Sequence, residues 1–354
     1  MLSINMLSSA HNVKGQGVLS AYCELLSLVK NSLNDDFEVT TNTMKLCDIT
    51  HYHTIDFKFF LSIPFTQLKG TNVAYVHFVP ETVEESLKLP WIAKKVFYKY
   101  IIWFYKGVDH LVVVNPYFKK VLEGYGIESD KITYIPNFVA NDNFYKTDKD
   151  TIDNLRDELG IDRNKFVVLG VGQIQTRKGI LDFIKVANSM PDIQFVWAGG
   201  FSFGNFTEGY SELKKIVECP PKNVKFLGIV EREEMNDIYN IADMMFLPSF
   251  NELFPMAILE AMNLNLPILL RDLDIYPDIL FDYYLKGIDT SDFESKIREI
   301  SLNKESYNFW SEKSHEGNLF YSKKRIAILW KKFYKKIYIE KLLLKYTKHV
   351  DGTN

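Results

Sequence analysis

Three cysteines in 354 residues, Cys23, Cys47 and Cys219, stand far apart without C-x-x-C spacing. They are too few and too scattered for a disulfide framework or a thiolate metal site, so reduced thiols of a cytosolic protein are expected. No uncharged apolar run reaches the length of a bilayer span, and Met1-Leu2-Ser3-Ile4-Asn5-Met6 has no basic region followed by a long apolar stretch. The chain is therefore expected to be neither integral nor exported. No internal repeat, collagen-like period or low-complexity tract occurs, and no Asp-x-Asp pair stands in a loop suited to a divalent ion. The net charge of −3 is too small to imply a partner by itself.

What is present is apolar punctuation. With 47% hydrophobic residues and this length, more than one core is expected. Short apolar runs, read as strands at Ser3–Leu7, Ile49–His53, Val73–Phe78, Leu111–Val114 and Ile132–Ile135, alternate with helical periods. After a polar, acidic stretch from Asn141 to Leu155, the pattern resumes at Phe166–Val171, Phe195–Ala198, Val224–Leu227, Met244–Leu247 and Ile268–Leu270. Buried strands separated by helices make an α/β fold with parallel sheets. Boundaries are expected at 1–150, 151–320 and a final basic helix, 321–354.

Charge is sorted along the chain. Lys88 to Lys106 holds five lysines and no acid, among Trp91, Phe97, Tyr98, Tyr100, Trp103, Phe104 and Tyr105. Tyr321 to Val350 holds ten basic residues against Glu340 alone, with Trp330, Phe333, Tyr334 and Tyr338. Lysines between rings at helical spacing suit a helix lying in an anionic headgroup layer, and Trp91, Lys94, Lys95, Lys99 and Trp103 are the residues expected to face it. An amphipathic core helix with a solvated basic face is the competing reading, and it is the stronger one for the second segment, where Ile326, Trp330, Phe333 and Ile337 form one apolar stripe. No RNA-binding motif accompanies either patch, so nucleic acid is not expected as a partner.

The most chemically specific stretch is Asn251-Glu252-Leu253-Phe254-Pro255-Met256-Ala257-Ile258-Leu259-Glu260. Met244–Leu247 reads as a strand, the following residues as a turn, and Pro255 as a helix start, which places Glu252 in a loop and Glu260 on a helix. A helix start beside a strand end offers N–H groups and a positive dipole to a diphosphate, while carboxylates accept from sugar hydroxyls. Upstream, the strand ending Gly170-Val171-Gly172-Gln173 runs into Arg177-Lys178-Gly179, two adjacent cations before a periodic helix. His77 ends an apolar strand. His51 and His53 alternate along another and are read as pointing to opposite faces, so joint metal chelation is not expected.

These motifs resemble the retaining glycosyltransferases of family 4, which have the GT-B fold of two Rossmann-like domains facing a cleft. The likeness runs through Arg177-Lys178-Gly179, Trp197-Ala198-Gly199-Gly200, Val224-Lys225-Phe226-Leu227-Gly228 and the E-x7-E pair Glu252 and Glu260, with Tyr75-Val76-His77-Phe78 and Tyr134-Ile135-Pro136-Asn137 in the first half. Further stretches, Lys14-Gly15-Gln16-Gly17-Val18, His51-Tyr52-His53-Thr54, Val79-Pro80-Glu81-Thr82 and Leu270-Arg271-Asp272-Leu273-Asp274-Ile275-Tyr276, are similar to the bacterial glycolipid synthases, in particular those that add a second hexose to glucosyl-diacylglycerol. The resemblance implies a UDP-hexose donor (glucose or galactose), a membrane glycolipid acceptor, no metal or other cofactor, and a peripheral position on the cytoplasmic face of an anionic membrane.

The resemblance also implies roles. His77, Glu252 and Lys178 are the expected catalytic set. Gly17, Gln173, Arg177, Lys178, Leu253, Phe254, Pro255, Met256 and Glu260 are expected around the donor, Glu252 at the hexose and Glu260 at the ribose diol. Two positions depart from the family pattern: Gln173 stands where an arginine is common, and Pro255, which has no N–H, where a glycine is frequent. Transfer to a capsule or wall-polymer intermediate, a nucleotide-sugar epimerase of the same fold, and a membrane-binding protein with a degenerate site remain as alternatives.

Overall fold

The computed structural model describes residues 1–10, 17–83, 90–202, 204, 207 and 209–351. Lys14, Gly15, Gln16 and Lys88 lie outside the described residues, as do Phe203, Asn205, Phe206 and Glu208 and the side chains from 348 onward.

Among the described residues twelve strands form two parallel sheets. The first comprises β1 Leu2–Leu7, β2 Phe37–Thr41, β3 Ile49–Tyr52, β4 Thr71–Val76, β5 His110–Val113 and β6 Ile132–Tyr134, in the order β2-β1-β3-β4-β5-β6. The second comprises β7 Val167–Val171, β8 Gln194–Ala198, β9 Val224–Gly228, β10 Met244–Leu247, β11 Ile268–Arg271 and β12 Leu285–Gly287, in the order β12-β11-β10-β7-β8-β9. Strand order reverses between β1 and β3 and again between β7 and β10. In such sheets the crevice at the carboxyl ends of the reversing strands is where ligands bind.

Alternation along the strands builds the core. Leu169, Met245 and Leu247 join one apolar cluster that also takes in the first sheet and the C-terminal helix, while Val168, Met244 and Phe246 point into a second cluster with Phe183, Trp197 and Phe293. Sequence reading missed β2, an edge strand with only Phe37 buried, and β12, three residues long with Lys286 exposed. Neither carries the apolar run that marks a central strand. The acidic stretch expected to be a linker contains the start of the Lys149–Glu158 helix, capped by Asp148 accepting from Thr151 N at 3.0 Å. Its only buried residue is Arg156, paired with Asp243 at 2.9 Å, so it shows no apolar period.

The long Lys323–Asp351 helix returns to the first sheet. Ile326, Trp330, Phe333, Tyr334 and Ile337 are buried, Lys331 and Lys335 reach Asp36 at 2.5 and 2.6 Å, and Tyr334 OH lies 2.8 Å from His51 Nδ1.

Candidate active site

A cavity of about 530 Å³ lies between the two sheets, lined by Gly17, Ser20 and His77 from the first half and by Gln173, Arg177, Lys178, Arg232, Glu252 to Ala257 and Glu260 from the second. The loops after β7 and β10 supply the charged wall. They meet because residue 179 is glycine: its φ is +73°, and a Cβ there would sit 2.2 Å from the Pro248 carbonyl oxygen. Phe250 N donates to Arg177 O at 2.8 Å, and Arg177 Nη1 to Asn251 O at 3.2 Å. This zipper sets Lys178 Nζ 2.5 Å from Glu252 Oε1.

The lysine is nearly enclosed, with 11% of its side chain exposed against 5% for Glu252. Burial raises the Glu252 carboxyl, but the Lys178 ammonium and the Arg177 guanidinium outweigh it and hold Glu252 below the usual carboxylate value. The same burial draws Lys178 below its ordinary value against the pull of Glu252. A buried lysine–carboxylate pair thus occupies the switch point of the second sheet. Gln173 sits beside it, its Oε1 accepting from Gln175 Nε2 at 2.9 Å.

Pro255 is the residue before the first turn of the Met256–Asn263 helix, so its missing N–H leaves no intrahelical bond unmade. The Leu253 carbonyl accepts from Asn115 Nδ2 at 2.8 Å, a direct tie from the first half to this loop. Glu260, on the buried face of the helix, accepts from Tyr239 OH at 2.7 Å and from Arg232 Nη1 at 2.8 Å. Sequence reading missed Arg232 and its second carboxylate partner, Glu24, at 2.7 Å. The two residues are 208 apart in the chain, and Glu24 sits at an ordinary helical position.

The opposite wall is neutral. His51 and His53 do not point to opposite faces: residues two apart on a strand share a face, and their rings lie 4.2 Å apart. His77 follows, 6.1 Å from His53 and 4.4 Å from Tyr75, whose hydroxyl donates to Asn137 Oδ1 at 2.8 Å. Of the three, His77 lines the cavity. Burial pushes His77 down to about 3; burial and then the His77 charge do the same for His51. His53 is also driven well below its usual range, by burial first and then by its two neighbours. Among the described residues no cluster of His, Cys, Asp or Glu could hold a metal ion.

Outside the cleft, the Trp91–Gly107 helix buries Ile101, Ile102, Phe104 and Tyr105 but leaves Trp91 66% and Trp103 62% exposed, beside exposed Ile92, Val96, Lys95 and Lys99 and half-buried Lys94. Lys95 Nζ sits 4.9 Å over the Trp91 ring. The neighbouring Phe57–Lys69 helix, unremarked in the sequence, carries apolar residues on both faces: Phe59 and Ile63 are buried with Thr66, and Phe57, Leu61, Phe65 and Leu68 are exposed. No helix among the described residues is long and apolar enough to cross a membrane.

Comparison with known proteins gives a consistent picture. The family model described as glycosyl transferases group 1 matches residues 151–317, and that described as glycosyltransferase family 4 matches residues 44–143. The chain is 45% identical over 335 residues to alpha-galactosylglucosyldiacylglycerol synthase of Streptococcus pneumoniae (strain ATCC BAA-255 / R6), covering 95% of this chain and 90% of that protein. It is 27% identical over 268 residues to processive diacylglycerol alpha-glucosyltransferase of Acholeplasma laidlawii, covering 74% of this chain and 78% of the relative. Among solved structures, Anabaena HepE in complex with UDP-glucose superposes with a TM-score of 0.75 at 15% identity, over 95% of this chain and 100% of that one. Sucrose-phosphate synthase from Thermosynechococcus elongatus does so with a TM-score of 0.73 at 14% identity, over 96% and 100%. At such identities the structural likeness speaks for the fold, which is GT-B.

Proposed function

Since the chain belongs to the glycosyltransferases of family 4, we propose that it is a hexosyltransferase that moves galactose from UDP-galactose to glucosyl-diacylglycerol with retention, giving an α-linked diglycosyl lipid. The observation that carries this reading is the buried Lys178–Glu252 pair at the sheet's switch point, in a chain 45% identical to a galactosylglucosyldiacylglycerol synthase. The relative's name favours galactose over glucose.

The reaction breaks the bond from the hexose C1 to the diphosphate oxygen and forms one from C1 to an acceptor hydroxyl on the same face. The hydroxyl proton passes to the departing phosphate oxygen. Charge grows on that phosphate in the transition state, so cations fixed beside it stabilise the transition state more than the ground state. Lys178 and Arg177 fill this role, with Gln173 offering amide hydrogens where a further cation would stand. Glu252, kept ionised, accepts from hexose hydroxyls while still holding Lys178. Glu260 accepts from the ribose diol, and the backbone N–H groups of Leu253, Phe254, Met256 and Gly17, all residues that line the cavity, donate to the remaining donor oxygens. His77 is neutral and contacts the transferred hexose without adding a charge that would oppose an oxocarbenium-like centre.

The acceptor lies in a bilayer, and the first half carries the surface that reaches it. Trp91, Trp103, Phe57, Leu61, Phe65 and Leu68 project from two adjoining helices, joined where the Tyr100 ring packs 5.7 Å from Phe60 and 6.4 Å from Phe57. Lys94, Lys95 and Lys99 surround them. Rings at the interface and ammonium groups among anionic headgroups hold the enzyme peripherally on the cytoplasmic face. The deciding experiment measures products from UDP-glucose and UDP-galactose against diacylglycerol and glucosyl-diacylglycerol. Galactosylglucosyl-diacylglycerol is the expected product. Transfer only to unglucosylated lipid, or to none of these acceptors, rejects the assignment.

A further inference from the structure

We propose that Arg232 is a cross-cleft positioning residue that draws the two halves together and sets Glu260 for the donor. The proposal rests on the reading that Glu260 takes the donor's ribose. Arg232 belongs to the second half and lines the cavity. Its guanidinium spans the gap: Nη1 donates to Ser20 Oγ at 3.0 Å and to Glu260 Oε1 at 2.8 Å, and Nη2 to Glu24 Oε1 at 2.7 Å. Ser20 and Glu24 are one turn apart on the Gly17–Ser32 helix, whose first residue is itself at the cavity. A planar fork can serve two carboxylates and a hydroxyl at once, which a lysine cannot.

The other partners explain why this contact governs more than local packing. Glu24 is buried, and its second oxygen accepts from Ala140 N at 3.1 Å, in the segment by which the chain leaves the first half. Burial raises the Glu24 carboxyl, and Arg232 is the main influence opposing it. Separating the halves would strip Glu24 of its counter-ion, so the ion pair favours the closed arrangement before any ligand enters. On the far side, the Phe144 ring lies 5.2 Å under the guanidinium and 5.6 Å from Tyr239, whose hydroxyl holds the second oxygen of Glu260. Each Glu260 oxygen therefore has one donor fixed and a lone pair left for a ribose hydroxyl. Donor recognition and closure share one side chain, and each must strengthen the other.

The test compares wild type, Glu24→Gln and Arg232→Lys as full-length proteins. Three quantities are measured: UDP binding by calorimetry, donor KM and kcat, and the radius of gyration with and without saturating UDP. Glu24 is not among the residues that line the cavity, so its amide variant removes the cross-cleft charge pair without changing a cavity-lining side chain. Glu24→Gln is expected to weaken UDP binding and raise donor KM by about tenfold, within the range of coupling between linked sites, with kcat changed less than about twofold. Its radius of gyration should exceed wild type without UDP and return to the wild-type value with UDP. Arg232→Lys should weaken UDP binding at least as much. If both variants bind UDP like wild type and show the same radius, with only a lower melting temperature, Arg232 is a structural stitch and the proposal fails. If wild type itself does not bind UDP, the donor reading fails first and takes the proposal with it.

Discussion

The two walls of the cleft solve different problems with different chemistry. The second half presents paired charges, Lys178 with Glu252 and Arg232 with Glu260, each held by neighbouring loops or helices. The first half presents His77, backed by a cluster of His53, His51 and Tyr75, all buried, with the three histidines kept neutral. A diphosphate that gains charge as it leaves calls for fixed cations on one side. A sugar turning toward an oxocarbenium calls for shape and hydrogen bonding without a competing positive charge on the other.

The sharpest way to break this contrast is Lys178→Ala. Loss of a single preorganised cation in a water-poor site costs about 100-fold or more in turnover. The variant also leaves Glu252 buried and unpaired, which destabilises by about 3 to 5 kcal/mol unless Arg177 takes over. The double change Lys178→Met with Glu252→Gln separates the two consequences: thermal unfolding should recover toward wild type while turnover at saturating donor stays low. Recovery of turnover along with stability would mean that the pair is structural.

Next in size is the split between the two glutamates. On the proposed role of Glu252 at the hexose, Glu252→Gln is expected to lower kcat by about tenfold or more, because an amide accepts less strongly than a carboxylate and no longer balances Lys178. Glu260→Gln should mainly raise the Kd for UDP, since Glu260 is the residue proposed for the ribose and the amide loses its charge pairing with Arg232. Calorimetry with UDP alone distinguishes them. Equal UDP affinity for Glu260→Gln and wild type removes the ribose role.

How legible these walls were follows from chain distance. The charged wall lies at two strand-to-helix junctions, where local periodicity, Gly179 and the Glu252 to Glu260 spacing announce it. Even there the direct pairing of Lys178 with Glu252 was not foreseen, because the loops are 74 residues apart and meet only through a contact that glycine permits. Arg232 and Glu24 carry no local signal, since each looks like one more solvated charge on a helix or turn. The outward Phe57, Leu61, Phe65 and Leu68 stripe has the spacing of a core-facing helix, and only tertiary packing decides that Phe59 and Ile63 turn inward instead.

The neutral wall makes a pH-dependent prediction. The folded pKa of His51 and His77 is about 3, and that of His53 is well below the ordinary value of 6.5. Below pH 6.5 the unfolded chain therefore binds protons that the folded chain refuses, and stability falls as pH drops toward 3. Each such histidine contributes about 1.4 kcal/mol per pH unit in that window. His53→Phe, which replaces a buried ring whose two nitrogens lack partners among the described residues, should flatten the acid side of the denaturation profile while leaving stability at pH 8 close to wild type. An unchanged slope between pH 6 and 4 would mean that the stack takes up protons in the folded state.

The smallest effect expected tests whether the contrast continues on the outer surface, where two basic, aromatic helices of similar composition have different fates. The Lys323–Asp351 helix buries Trp330, Phe333 and Tyr334 against the first sheet and spends Lys331 and Lys335 on Asp36. The Trp91–Gly107 helix leaves Trp91, Trp103, Lys95 and Lys99 exposed, with no acid in its sequence. Each lysine near an anionic surface adds about 1 kcal/mol, an attraction that decays within a Debye length of about 8 Å at physiological ionic strength. Changing Lys94, Lys95 and Lys99 to Gln should therefore weaken co-sedimentation with vesicles containing anionic lipid and remove most of its salt dependence, leaving activity on detergent-dispersed acceptor intact. The matching change of Lys331 and Lys335 to Gln should loosen the helix from Asp36 and lower the melting temperature without altering vesicle binding. If the two variants bind vesicles equally, or wild type binds neutral and anionic vesicles alike, the Trp91–Gly107 helix is not the electrostatic anchor and the two basic segments differ in packing alone.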